Sequence, residues 1–204
     1  MAEQLTAEQL RIVPANEANW DDIQAVFGER GDAHTCQCQW FKLPHTQWQA
    51  TPWQELEERE RAITHCGEPA SPSTTGLVAY LDGEPAGWVA VEPRVNYLRL
   101  RTMRVPWLGR AEDKDDPGVW VITCFVIRIG FRGRGLMDEL VSAAVDFAQR
   151  RGATAVEAYP LVVEPGERLS SGELFIGSAS AFARAGFAEV SRPSERRAVM
   201  RLNF

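Results

Sequence analysis

The stretch GVWVITCFVIRIGFRGRGLMDELVSAAVDFAQRR, residues 118 to 151, decides the fold. It opens on an almost unbroken apolar run, Val119 to Ile127, enriched in Val, Ile and Phe. A strand covered on both faces has that composition. It closes on a run that places Leu136, Leu140, Ala144 and Phe147 on one stripe, the pattern of a helix packed along one side. Arg132-Gly133-Arg134-Gly135 lies between them. Strand, glycine-rich turn and helix start, in that order, make an anion site. Bare backbone N–H groups point at one spot, and the helix dipole favours negative charge there. Glycines let the backbone approach the ligand, because no Cβ stands in the way.

Two nucleotide readings fail on particular residues. Gly130 and Gly135 have the separation of a P-loop, but Leu136 and Met137 replace its Lys and Ser or Thr. Gly133 and Gly135 supply two positions of a dinucleotide fingerprint, but the third falls on Asp138.

A third pattern fits better. Val126, five residues, then Arg132-Gly133-Arg134-Gly135-Leu136-Met137 resembles motif A of the GNAT superfamily of N-acetyltransferases, Gln/Arg-x-x-Gly-x-Gly/Ala after a strand. Arg132 and Gly135 match, whereas Met137 stands where the family has Gly or Ala. Downstream, Ser178-Ala179-Ser180-Ala181-Phe182-Ala183-Arg184-Ala185-Gly186-Phe187 resembles motif B, a short helix ending in Gly-Phe before a strand. The two motifs cover roughly residues 118 to 204; residues 1 to 117 resemble the family only in the order of elements. The resemblance implies a single α/β GNAT-type domain over residues 1–204, with a mixed sheet of about six or seven strands flanked by helices.

Composition agrees with one domain. The 204 residues suffice for a full core, and 45% hydrophobic with 25% charged content is ordinary for a globular chain. No apolar run reaches the ~18 residues that span a bilayer. The acidic N-terminus, MAEQLTAEQL, lacks a leader pattern, so a cytoplasmic protein without a membrane partner is expected. A net charge of −6 argues against nucleic acid and weakly favours cationic substrates. Cys36, Cys38, Cys66 and Cys124 do not resemble a disulfide framework. Cys36 and Cys38, with His34, His45 and His65 nearby, lack a second cysteine pair, so reduced thiols rather than a metal are expected.

Leu10 to Pro14 reads as a first strand, and Asn19 to Phe27 as a helix with Trp20, Ile23, Val26 and Phe27 on one face. Residues 32 to 50 have no clear period. Thr51-Pro52-Trp53-Gln54 reads as a capped helix start, and the charges of ELEERERAITH as a solvated face. Leu77 to Leu81, Asp82-Gly83-Glu84-Pro85 and Gly87 to Val91 form a hairpin pattern. The arginine-rich connection from Glu92 to Gly118 reads as an exposed flap or hairpin. Ala153 to Val163 reads as the next strand, parallel to the one before the helix, and Arg197 to Phe204 as the last.

The resemblance also implies chemistry. The cofactor would be acetyl-CoA, its pyrophosphate on the amides of Arg132, Gly133, Arg134, Gly135, Leu136 and Met137. Backbone groups of Phe125 and Val126 would pair with the pantetheine arm. The acceptor would be a primary amine of a small molecule or peptide, with a homodimer as one admissible assembly. The tyrosine often used as acid falls at Phe182, which is then expected beside the pantetheine sulfur. Tyr159 is the substitute acid, with Tyr80 a weaker one; Glu157 and Glu92 are the candidate bases. Cys124 reads as a buried structural thiol. Trp40 and Trp48 offer an aromatic wall for an organic amine. The loss of the usual tyrosine keeps a non-catalytic acyl-CoA-binding protein of the same fold as the alternative.

Overall fold

The computed structural model describes residue 6 and residues 9–164, 166–167 and 172–204. Most of the N-terminal stretch read for a leader lies outside the described residues. Seven strands form one mixed sheet: β1 (Leu10–Pro14), β2 (Leu77–Leu81), β3 (Glu84–Pro93), β4 (Val119–Ile127), β5 (Ala155–Ala158), β6 (Ala188–Ser194) and β7 (Arg197–Asn203). Their order is β1-β2-β3-β4-β5-β7-β6, and only β4 and β5 are parallel. The helices are α1 (Trp20–Phe27), α2 (Asp32–Cys36), α3 (His45–Ala50), α4 (Trp53–Thr64), α5 (Arg104–Trp107), α6 (Leu136–Arg150) and α7 (Ala179–Arg184). Among the described residues no helix is long and apolar enough to cross a membrane.

Local sequence explains the main joints. Asp82 and Gly83 both take positive φ (53° and 83°), the two-residue turn that matches hairpin twist. The expected stripe of α6 is realised: Leu136, Leu140, Ala144 and Phe147 are buried against Val89, Val91, Ile122 and Val156. On the opposite face α1 covers Val78, Trp88 and Ala90. A third cluster on that face gathers Phe41, Tyr97, Val121, Tyr159 and Ile176. The Ser178 hydroxyl caps α7 by accepting from the Ala181 amide at 3.3 Å.

Three expectations need correction. The strand expected from Ala153 to Val163 is ordered as β5 only over Ala155–Ala158. Pro160 cannot donate to a ladder, and the Leu161 amide bonds instead to the Gly177 carbonyl at 3.1 Å. Thr51 does not cap α4, because its hydroxyl donates to the Gln47 carbonyl at 2.7 Å and Pro52 takes the cap position. The connection from Glu92 to Gly118 is exposed as expected only in its second part, where residues 111–115 face solvent. It folds into Arg94–Asn96, Leu98–Arg101 and α5, and it buries Arg94, Tyr97, Arg99 and Leu100.

Two features of β4 position the site. Ala90 faces Cys124 while Val91 faces Ile122, so Thr123 is an extra residue without a partner on β3. Such a bulge bends a strand. On the other side, β4 pairs with β5 only from Val119 to Ile122. Past that point the outer edge of β4 has no ladder partner among the described residues.

Candidate active site

The turn that ends beside this edge carries a row of free donors. The N–H groups of Gly133, Arg134, Gly135, Leu136 and Met137 make no hydrogen bond among the described residues. Gly133 and Gly135 take φ of +75° and +80°, and a Cβ built on either meets nothing within 4 Å. Positive φ at two alternate positions turns successive amides toward one concavity, which suits an anion. The dipole of α6, 15 residues long, adds to it. These residues fit a pyrophosphate group. Arg132 is exposed, with Nε donating to the Ile127 carbonyl at 2.9 Å, and Arg134 lies 3.7 Å from Asp82. Asp138 pairs with Arg184 of α7 at 2.6 Å.

Phe125 and Val126 lie on the part of β4 beyond its pairing with β5. Leu174–Ile176 runs alongside β4 there. The Phe182 ring is fully buried, 6.0 Å from Phe125 and 5.1 Å from Phe187 between centroids. Gly177 lets it sit so close, since a Cβ there would be 2.8 Å from the Phe182 ring.

The carboxylates expected as bases fall in one row across the sheet. Glu92 on β3 faces Val121 on β4, Val121 faces Glu157 on β5, and Glu157 faces Arg201 on β7. Directly opposed residues share a face, so both carboxylates lie on the side away from α6. Glu157 has no exposure. It accepts from Arg94 at 3.1 Å, Arg201 at 2.8 Å, the Tyr159 hydroxyl at 2.9 Å, and both terminal nitrogens of Arg110. Burial alone would raise its carboxyl, but Arg110 and Arg94 hold it below the usual range. Burial and the neighbouring Glu157 push the Tyr159 hydroxyl well above its ordinary value. Glu92 is bonded by Lys42, by Thr75 at 2.6 Å and by Asn96 at 2.8 Å. Burial would raise it too, and Lys42 holds it below the ordinary carboxylate value. Tyr80 lies apart, donating to Asp22 at 2.8 Å.

Several residues of this face are absent from the reading of the sequence. Glu60 is a correction instead: expected on the solvated face of α4 with its charged neighbours, it is fully buried, accepts from Gln39 at 2.5 Å, and its other oxygen has no partner among the described residues. A periodic signal was present, because Glu60 lies four residues after Leu56 and four before Thr64, both buried. No comparable signal marks Lys42 or Gln37. Gln37 and Cys38 take φ of 47° and 52° without being glycine. Gln37 is tied to Gln24 at 3.0 Å and to the His34 carbonyl at 2.9 Å. Burial pushes the Cys36 thiol up to about 12, and a hydrogen bond with Cys124, then burial, raises Cys38; neither is a ready nucleophile.

Glu60 makes stability fall with pH. Burial raises its carboxyl to about 8, partly offset by Lys42. The unfolded chain, at 4.5, loses this proton first. Below 4.5 the group is neutral in both states, and above about 8 it is charged in both. Between those values each pH unit removes about 1.4 kcal/mol. Urea unfolding at pH 5.5 and 7.5 should show wild type losing about 2–3 kcal/mol more than Glu60→Gln, whose amide keeps the Gln39 bond. Equal losses in both proteins would mean the carboxyl titrates normally.

The aromatic wall is present but already holds a cation. The Arg99 guanidinium carbon lies 4.2 Å from the Trp40 ring centroid and 5.7 Å from that of Trp48. The wall expected to receive a charged amine is therefore lined by an arginine of the chain itself.

A comparison with known families matches residues 38–167 to the acetyltransferase (GNAT) family. A GCN5-related N-acetyltransferase from Kribbella flavida superposes with a TM-score of 0.52, covering 98% of this chain and 100% of that one at 18% identity. A GNAT-family acetyltransferase from Listeria monocytogenes gives 0.54, covering 100% and 98% at 10% identity. The PaiA N-acetyltransferase from Thermoplasma acidophilum, in complex with coenzyme A, gives 0.50, covering 96% and 99% at 10% identity. At these identities the likeness is one of fold. No curated protein sequence matches the chain.

Proposed function

The chain belongs to the GNAT acetyltransferase family, and from that premise we propose that it moves an acetyl group from acetyl-CoA to a primary amine of a small molecule or peptide. Residues 1–204 act as one domain in this reading. The observation that carries it is the run of five unbonded amides from Gly133 to Met137, beside the unpaired edge of β4. When bound, acetyl-CoA supplies an acetyl group activated as a thioester. Arg132 to Met137 would hold its pyrophosphate. The backbone of β4 about Phe125 and Val126, where Phe125 faces the open edge, would hold its pantetheine arm and offer an amide to charge developing on a carbonyl oxygen.

The attacking amine must be neutral and must give up a proton. Glu157, Glu92 and Tyr159 take a positioning role in this account. Every carboxylate oxygen in the row is already bonded, and protonating either group would break ion pairs. They fix the face of β4 on which the amine arrives. The amine proton then passes to water, and alignment of the two reactants supplies much of the rate.

Release of free thiol from acetyl-CoA, followed over polyamines, aminoglycosides, amino acids and peptides, tests this function. Acceptor-dependent release is expected with at least one class. Tight acetyl-CoA binding with no release over the whole panel would favour a binding protein instead. Tyr159→Phe should lower stability by about 1 kcal/mol and leave kcat within about twofold. A kcat at least tenfold lower, with unchanged acetyl-CoA affinity, would restore Tyr159 as the proton donor.

A further inference from the structure

Among the described residues Lys42, Arg94 and Arg99 are buried, as is the side chain of Arg110, which is paired with Glu157. Lys42 is paired with Glu92, and Arg94 with Glu157. Arg99 has no carboxylate partner among the described residues, although it is only 5% exposed. Its Nε donates to the Leu43 carbonyl at 3.1 Å, and its Nη2 is buried without a partner. The Trp48 indole Nε1, from a ring that Arg99 overlies, is likewise buried and unbonded. A buried cation normally has a counter-ion, and contact with aromatic faces replaces only part of its lost hydration. Two idle donors and a surplus positive charge thus lie against the same pair of aromatic rings.

We propose that Arg99, framed by the Trp40 and Trp48 rings, binds a carboxylate of the acceptor, so that the acetylated substrate is an amine that also carries a carboxylate group. The inference rests on the N-acetyltransferase reading above. Position favours the acceptor over the cofactor. Arg99 comes from the β3–β4 connection and Trp40 and Trp48 from residues 32–50, whereas the phosphate-binding turn opens α6, across the sheet. Shape favours a carboxylate. With Nε occupied by Leu43, the guanidinium is left its end-on pair of N–H groups, which match two carboxylate oxygens. Charge favours it over phosphate. One guanidinium and one neutral indole N–H balance a single negative charge, whereas a phosphate monoester brings nearly two. The aromatic wall then recognises an anion through the arginine it holds, rather than a cation directly.

The test compares acceptors that differ only in that group. Amino acids and longer aminocarboxylates are each paired with their own carboxamide, and kcat/KM is measured from thiol release. Wild type should prefer the carboxylate member by at least about tenfold. Arg99→Gln should reduce the ratio to near one, mostly through the acceptor KM, with the acetyl-CoA KM unchanged. Arg99→Lys, which keeps the charge without the fork, should fall between. The ratio is internal to each protein, so a general loss of stability does not move it. Equal rates for paired acceptors in wild type, or a preference that survives in Arg99→Gln, would overturn the carboxylate site while leaving the transferase reading intact. If Arg99→Gln does not fold, the wild-type ratio and Arg99→Lys decide. If wild type releases no thiol with any amine, calorimetric titration of the CoA-loaded protein with the same pairs decides. Carboxylate-selective binding that is weakened in Arg99→Lys and lost in Arg99→Gln would sustain the site while the transferase reading fails. Binding without selectivity, or no binding, would end both.

Discussion

Gly135→Val is expected to abolish the rise in melting temperature that acetyl-CoA produces, while the protein stays folded. A ligand that binds only the native state at about 100 times its Kd stabilises it by about 2.7 kcal/mol. For a chain of 204 residues that is a shift of about 5–10 °C. Valine at φ +80° costs about 1–3 kcal/mol in backbone strain. Its side chain enters space that is open in the structure, so the fold survives and the anion cradle is filled. Gly67→Val is the control. Gly67 has φ +78° with the same open surroundings, so it carries similar strain far from the turn. The control should keep the full acetyl-CoA shift on a similarly lowered baseline. A normal shift in Gly135→Val would mean that the cofactor does not sit on this turn.

Glu157→Gln should be the most destabilising substitution in the sheet. The carboxylate is shared by Arg94, Arg110 and Arg201, and the other acid in reach of them is Glu112, 38% exposed. Removing one member of a buried ion pair costs about 3–5 kcal/mol, because its partner is left charged and unpaired. Here three partners lose their buried acid and are left to share Glu112. Thermal unfolding should show a melting temperature roughly 10–15 °C lower. The pH dependence gives a second readout. The folded carboxyl lies below its unfolded value, so its contribution is complete above about 4.5 and is lost as pH falls below that. The mutant lacks that share of the acid sensitivity. A loss under about 1 kcal/mol would show that the arginines find water or Glu112 instead.

The sheet was legible in the sequence where apolar runs and turn chemistry agreed. Val119 to Ile127, the Asp82-Gly83 turn and the stripe of α6 each carry their structure within a short window. The glycine turn before α6 was legible for the same reason, since the two glycines and the helix start lie side by side. The far face of the sheet was not. Glu157 reads as one acid in a strand, and its partners come from 94, 110, 159 and 201. Nothing local distinguishes an arginine that will be buried from one that will be solvated; the ion network exists only once β3, β5 and β7 are assembled. Glu60 was disguised by neighbours of like type on the exposed side of α4. Trp40 and Trp48 were read as a wall, but the arginine that fills it lies about fifty residues away.

Residues 37 to 43 are fastened at short intervals. Gln37 holds Gln24, Gln39 holds Glu60, Lys42 holds Glu92, and the Leu43 carbonyl receives Arg99. The backbone between them passes through two left-handed residues. Such a segment can change its side chains but not its length. One inserted or deleted residue between Gln37 and Leu43 would move every later fastening out of reach at once. Diversification of the acceptor side of this fold is thereby channelled into point substitutions at Trp40, Trp48 and Arg99, with indels confined to the flanking chain.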